Sequence, residues 1–284
     1  MSAALFGRVF RIVAVVGCQR SGTTLTGQIL GASPEAVLID EEDGLYPWFH
    51  AFAEGASDAG RLADEMFARA RSKYREPERR FRTVGTRVQP APGVTCIVLK
   101  APNLTYDEVK ISRLGVPVTI VYPVRDPRAV VSSMARLGAI DFVGNQQRLL
   151  AERPAVAAAY ERELQTVGDE AAPPWVRRAA LWRIKTGRAT AFRNHGLPMT
   201  QFRYEDLVRD PRAAIAPLLA ACALGGAPDL EAREAYRGAG PGGTDRTRAI
   251  DAASANAWTS ALSASEERDV LATAGPLATA FGYV

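Results

Sequence analysis

Residues 10–24 read Phe-Arg-Ile-Val-Ala-Val-Val-Gly-Cys-Gln-Arg-Ser-Gly-Thr-Thr: a β-branched apolar run that stops at a glycine, a short polar loop, and a second glycine that opens an apolar-periodic segment. This predicts a buried strand up to Gly17, a tight loop, and a helix over residues 24–32. Such a loop turns its backbone N–H groups and the positive end of the helix dipole toward one point, so it suits an anion. It also commits the chain to crossovers, because a strand that feeds directly into a helix pairs most readily in a parallel sheet.

The rest of the chain keeps that rhythm. Short apolar runs at 37–39, 94–99, 116–124 and 198–203 predict further strands. Helical spacing covers 60–82, much of 142–195, 211–224 and a terminal segment from about 263, with a Gly/Pro/Arg-rich loop at 238–248. Asp126-Pro127 supplies a cap and a first-turn proline to the helix after the strand at 116–124. No repeat or linker divides the chain. The expected fold is therefore α/β, a P-loop-type parallel sheet flanked by helices, in a single domain spanning 1–284. With 47% hydrophobic residues, a chain of 284 has material for one large core, and disorder, collagen and coiled coil are excluded.

Charge and cysteine usage narrow the partners. Lys+Arg 35 less Asp+Glu 31 leaves +4, spread along the sequence, which suits a local anion pocket rather than nucleic acid. Seven basic residues between Arg71 and Arg87 face only Glu76 and Glu78, as either an anion-facing patch or a solvated helix face. Cys18, Cys96 and Cys222 lie far apart without a CxxC pair, as buried thiols of a reducing compartment do. The apolar run near the start is far shorter than the roughly 20 residues of a membrane span and lacks a cleavage site. A cytoplasmic protein without a membrane span is expected.

The loop also says which anion it is not built for. Nucleotide triphosphatases of the GxxxxGK[ST] type place lysine directly after the second glycine. Here that position is Thr23, and the cation is Arg20, three residues earlier, where a guanidinium can grip an oxyanion bidentately. ATP with magnesium is disfavoured, and a donor that needs no metal becomes attractive.

In these respects residues 17–24 resemble the 5′-phosphosulfate motif of sulfotransferases that use 3′-phosphoadenosine 5′-phosphosulfate (PAPS), which implies that Arg20, Ser21, Gly22, Thr23 and Thr24 hold the donor. Tyr122-Pro-Val-Arg-Asp-Pro-Arg-Ala-Val-Val-Ser-Ser-Met134 resembles the 3′-phosphate motif, with Arg125 at a strand end and Ser133 eight positions on. A phosphate monoester dianion wants such a permanent cation and a hydroxyl donor. Ile97-Val-Leu-Lys-Ala-Pro-Asn103 resembles the strand-end lysine of bacterial and tyrosylprotein-type members, which makes Lys100 the group that meets the bridging oxygen of the donor. Phe202-Arg-Tyr-Glu-Asp-Leu-Val-Arg-Asp-Pro211 is similar to the family's late strand, implying Tyr204 against the purine. Trp258 and the terminal Phe-Gly-Tyr resemble the family's C-terminal end.

The base follows from departures as much as matches. The small-molecule cytosolic branch has a histidine two residues after the lysine, but this chain has Pro102 there and only His50 and His195 in all. The tyrosylprotein branch has a glutamate 21 positions after the loop arginine, which falls on Glu41. Glu41 is the leading base, with Glu42 and His50 as substitutes. Asp40, Glu41 and Glu42 could raise one another's pKa, as a base requires, or could instead cap a helix. In an extended segment Asp40 and Glu42 would share one side and Glu41 take the other. The tyrosylprotein branch also has a lysine where this chain has Ala257, and a membrane anchor not seen here, so secretory protein tyrosine is not the expected acceptor.

The resemblance thus implies a catalytic set of Glu41, Lys100 and Arg20 in a sulfotransferase that moves a sulfuryl group in line to a hydroxyl or amine. The acceptor would be a small molecule, glycan or peptide, the product adenosine 3′,5′-bisphosphate, and no metal is needed. The PAPS-binding core would span about 10–48 and 94–224, and acceptor selection about 50–93 and 140–196. A homodimer is left open. The alternatives are a P-loop kinase of a small molecule and a noncatalytic adenosine-bisphosphate-binding protein.

Overall fold

A computed structural model of the chain describes residues 7–225, 235–240, 244–245 and 249–284. Strand β1 (Arg11–Val15) leads through the glycine loop into α1 (Thr23–Gly31), followed by β2 (Ala36–Asp40), α2 (Leu45–Glu54), α3 (Ala59–Arg71), a hairpin of β3 (Phe81–Val84) and β4 (Arg87–Pro90), and β5 (Cys96–Lys100). Next come α4 (Glu108–Ser112), β6 (Val118–Val124), α5 (Pro127–Arg136), then α6 (Phe142–Ala151), α7 (Pro154–Ala159), α8 (Glu161–Gly168), α9 (Pro174–Gly187) and α10 (Ala189–Asn194). Strand β7 (Met199–Arg203), α11 (Tyr204–Arg209), α12 (Pro211–Ala221), the two-residue strands β8 (Ala239–Gly240) and β9 (Thr244–Asp245), and α13 (Ala253–Asn256), α14 (Ala264–Ala274) and α15 (Pro276–Ala280) complete it.

Five strands form one parallel sheet in the order β2-β5-β1-β6-β7. This is the parallel α/β sheet the sequence predicts, and it is doubly wound, with β1 at the centre and the chain passing to one side and then the other. Strands buried on both faces read as continuous apolar runs, and Val13, Val15, Ile97, Val98, Ile120 and Val121 are all completely buried. In such a sheet the crevice lies outside the carboxyl ends of the strands, where the topology switches direction.

Register decides which side chains meet there. Val15 pairs with Lys100, and Lys100 with Asp40, so the strand-end lysine stands beside the acidic segment that follows β2. Val124 pairs with Arg203, so the next residues, Arg125 and Tyr204, leave the sheet side by side. Helix α1 is almost wholly buried against this edge. It can press close because Gly27 faces β5: a Cβ there would lie 3.0 Å from the Cβ of Lys100.

Two stretches depart from the sequence expectation. The helix expected over 60–82 ends at Arg71, and residues 81–90 form the hairpin β3–β4 around Gly85-Thr86. The loop expected at 238–248 contains the small ladder β8–β9, and the rest of that stretch lies partly outside the described residues. Among the described residues, no helix is long and apolar enough to cross a membrane.

Candidate active site

The glycine loop closes on itself through backbone conformations that few residues adopt. Gly22 caps α1 with φ of 91°, and Arg20 takes φ of 68°, which is left-handed for a residue with a Cβ. A non-glycine residue held so is strained by about 1–3 kcal/mol and persists where its surroundings fix it. Here they do: the Arg20 Nε donates to Ser133 Oγ at 3.0 Å, and its carbonyl accepts from Arg125 at 2.9 Å. Ser133 is accordingly buried in the site rather than on a helix surface.

Arg125 is almost fully buried. Besides the Arg20 carbonyl it donates to the Ser254 carbonyl, and its guanidinium lies 4.6 Å from the Tyr204 ring centroid. It makes no ion pair with Asp126, which instead caps α5 and holds Arg128 in a fork at 2.7 Å. The Tyr204 hydroxyl bonds Ser254 Oγ at 2.7 Å, and its ring rests on Gly22, where an added Cβ would sit 2.2 Å from it. At 8% exposure Tyr204 is a support of the loop and of Arg125 and offers little open ring surface. Trp182 of α9 donates its indole N–H to the Arg125 carbonyl at 2.9 Å, and Arg128 lies 4.0 Å from the ring centroid of Trp258.

Arg136, one helical turn past Ser133, is a third cation here, which the spacing of Arg125 and Ser133 alone did not disclose. Burial first, then the charges of Arg125 and Arg136, pull the Arg20 guanidinium below its ordinary pKa. None of the three arginines has a carboxylate partner within ion-pair distance among the described residues. Ser21 Oγ and Arg125 Nε are buried beside them with no hydrogen-bond partner among the described residues.

The other side of the loop holds the second half of the site. Lys100, 3% exposed, donates to both carboxylate oxygens of Glu41 at 2.6 and 2.8 Å. Glu41 reaches it because residues 41–43 form a single 3₁₀ turn rather than an extended segment, so the two-sided alternation expected from the sequence does not apply. Capping of that turn falls to Asp40, which accepts from Glu42 N, while Asp43 accepts from Asp40 N. Buried Lys73 pairs with both aspartates, and burial pushes the Asp43 carboxyl up to about 6. Of the acidic cluster, Glu41 is the carboxylate that enters the cleft.

Gln19, Arg20, Thr23, Thr24, Glu41, Lys100 and Pro102 line a cleft of about 120 Å³ together with Leu137, Ile140 and Phe142. It shares Gln19, Ile140 and Phe142 with a larger cavity of about 500 Å³ bounded by α6 and Asn103. Glu42 and His50 line neither; the His50 ring faces Lys110 at 3.2 Å. The basic segment 71–87 contributes no lining residue. Its Lys73 braces the acidic turn, Arg80 caps the carbonyls of Ala32, Ser33 and Ala36, and Arg87 pairs with Asp64 at 2.7 Å. No group of three or more His, Cys, Asp or Glu among the described residues is arranged to hold a metal ion.

Comparison with known proteins bears on the family and the fold. A sequence model of the family described as "Sulfotransferase family" matches residues 13–228. The sulfotransferase domain of the Synechococcus PCC 7002 olefin synthase superposes with a TM-score of 0.51 at 16% identity, covering 95% of each chain. The sulfotransferase domain from the curacin biosynthetic pathway superposes with a TM-score of 0.55 at 14% identity, covering 98% of this chain and 99% of the other. At these identities the two structures attest the fold. No curated protein matches the chain.

Proposed function

The chain belongs to the sulfotransferase family, and from that membership we propose that it transfers a sulfuryl group from PAPS to a hydroxyl or amine of a small-molecule, glycan or peptide acceptor. The observation that carries the choice of donor is the trio Arg20, Arg125 and Arg136, near enough to feel one another's charge beside the glycine loop and without a carboxylate partner within ion-pair distance among the described residues. Uncompensated guanidinium groups at such a place call for an anion of more than one charge.

The residues present fit that donor, since Ser21 Oγ and Arg125 Nε are buried polar atoms in need of partners. The loop amides of residues 21–24 with Arg20 would hold the phosphosulfate end, and Arg125 with Ser133 the 3′-phosphate, with Tyr204 bordering the nucleoside. When bound, PAPS supplies a sulfuryl group on a good phosphate leaving group. Glu41 takes the proton from the attacking hydroxyl or amine. Lys100, buried beside it, steadies the negative charge that grows on the bridging oxygen, the kind of electrostatic stabilisation that commonly dominates such transfers. Lys100 and Glu41 neutralise each other beforehand, so neither stands as a lone buried charge.

The test is nucleotide binding in the presence of a chelator. Adenosine 3′,5′-bisphosphate is expected to bind about ten- to a hundred-fold more tightly than adenosine 5′-phosphate, from loss of a charge-assisted contact of about 1.5–3 kcal/mol. Arg125→Ala is expected to erase most of that difference. Calorimetry showing equal affinities, or binding that needs magnesium, would overturn the donor assignment. Tight bisphosphate binding with no transfer of label from PAPS to any acceptor would leave a binding protein rather than an enzyme.

A further inference from the structure

The cavity next to Glu41 has a wall whose hydrogen-bonding sense is fixed from below. Lys185 of α9, completely buried, donates to Gln19 Oε1 at 2.7 Å and to Asn103 Oδ1 at 2.9 Å. Asn103 Oδ1 also accepts from Gln19 Nε2 at 2.7 Å and from Gln146 Nε2 at 3.0 Å. Gln146 is pinned in turn, its Oε1 accepting from the Tyr106 hydroxyl at 2.9 Å. A lysine ammonium has only donors, so the atoms facing it are the two amide oxygens; a neutral amine could accept from at most one amide, and the Gln19 Nε2 to Asn103 Oδ1 bond forbids turning one amide without the other. The orientation of both amides follows.

Three donors on one carbonyl oxygen exhaust its two lone pairs. What half-buried Asn103 has left is its Nδ2 amide group, for which no acceptor is found among the described residues. Asn103 borders the cavity, which Ile140, Phe142 and Leu149 also line. We propose that Asn103 is a specificity-determining residue, turned donor-outward by Lys185 as a positioning residue, and that the acceptor carries a hydrogen-bond-accepting oxygen of carbonyl type beside the group that takes the sulfuryl. The inference rests on the transfer reading above for what occupies the cavity, and on the amide network alone for its polarity. Buried polar groups discriminate strongly, since a ligand that cannot pair with them leaves them unsatisfied.

The probes are ω-hydroxy methyl ketones of four to seven carbons, the 1-alkanols of the same lengths, and the corresponding amino alcohols. Affinity is read by calorimetry on protein loaded with adenosine 3′,5′-bisphosphate, and contact at Asn103 from its side-chain amide signal in the NMR spectrum, assigned by its loss in Asn103→Asp. At least one ketone is expected to shift that signal and to bind about ten-fold more tightly than its alkanol or amino alcohol. Asn103→Asp keeps the size and the bond from Lys185 while removing the donor, so the preference should pass to the amino alcohol. Lys185→Met, which frees the amide to turn, should narrow the preference, with thermal melting confirming that the variant folds. Equal binding of ketone and alkanol, a ketone preference that survives Asn103→Asp, or no probe moving the signal at millimolar concentration would each overturn the proposal. Release of labelled product from PAPS is scored separately: ketone-selective binding without label on any probe fails the transfer reading and leaves the donor-outward wall standing.

Discussion

Lys100 and Glu41 form an ion pair across the site, and that pairing sets how their variants should differ. Removing a general base typically costs about 10²–10⁴ in rate. Glu41→Gln should lose that much turnover with donor affinity preserved, whereas Glu42→Gln, outside the cleft, should stay near the parent rate. Lys100→Ala should depress turnover strongly and leave nucleotide affinity within a few-fold, because its work is done as charge develops. Full turnover in Glu41→Gln would sink the assignment. Both candidates came from the family resemblance of their segments, yet their contact was not legible: it depends on Lys100 pairing with Asp40 across two strands 60 residues apart. Asn103, Arg136 and Lys185 were illegible for a related reason. A lysine between Ile184 and Thr186 has no local signature of burial, and only the packing of α9 beneath the loop decides it.

At the scale of elements, the loop into α1 is the part most exposed to small changes. Gly22→Ala would force a side chain into a left-handed residue, at about 1–2 kcal/mol, and drive its Cβ into the Tyr204 ring. A lower melting temperature together with at least ten-fold weaker nucleotide binding is expected, about 1.4 kcal/mol in the latter. Arg20→Gly makes the complementary case: it relieves the positive φ, so thermal stability should hold while donor binding and turnover both fall. A variant that melts much lower would show that the guanidinium is chiefly structural. The strand–loop–helix unit was legible because its signals are local. The hairpin β3–β4 was missed because arginines at 79, 80, 82 and 87 carry the polar spacing of a solvated helix, while the two-residue Gly85-Thr86 turn that pairs the strands is short and inconspicuous.

For the whole molecule, Lys185 ties folding stability to pH. Burial pulls it from the ordinary 10.5 to about 7. Between those values the unfolded chain binds a proton that the native state does not, so this group makes stability rise with pH across that window, and its burial penalty is present in full below about 7. The buried thiols pull the other way at high pH, because burial raises Cys18 and Cys222 to about 12 from 9.0. The difference between parent and Lys185→Met isolates the lysine: denaturant unfolding at pH 7 and pH 9 should show the parent gaining stability relative to the variant as pH rises. A constant difference would mean that the lysine keeps an ordinary pKa.

Helix α9 carries one more implication. Trp182 holds the Arg125 carbonyl, and Lys185, three residues on along the same helix, holds the amides of Gln19 and Asn103. One helix therefore grips both the proposed nucleotide end and the proposed acceptor wall. Any shift of that helix on filling one pocket is felt in the other, so occupancy of each substrate should alter the affinity of its partner by the same factor in both directions, the reciprocity that thermodynamic linkage demands of two sites joined by a common support.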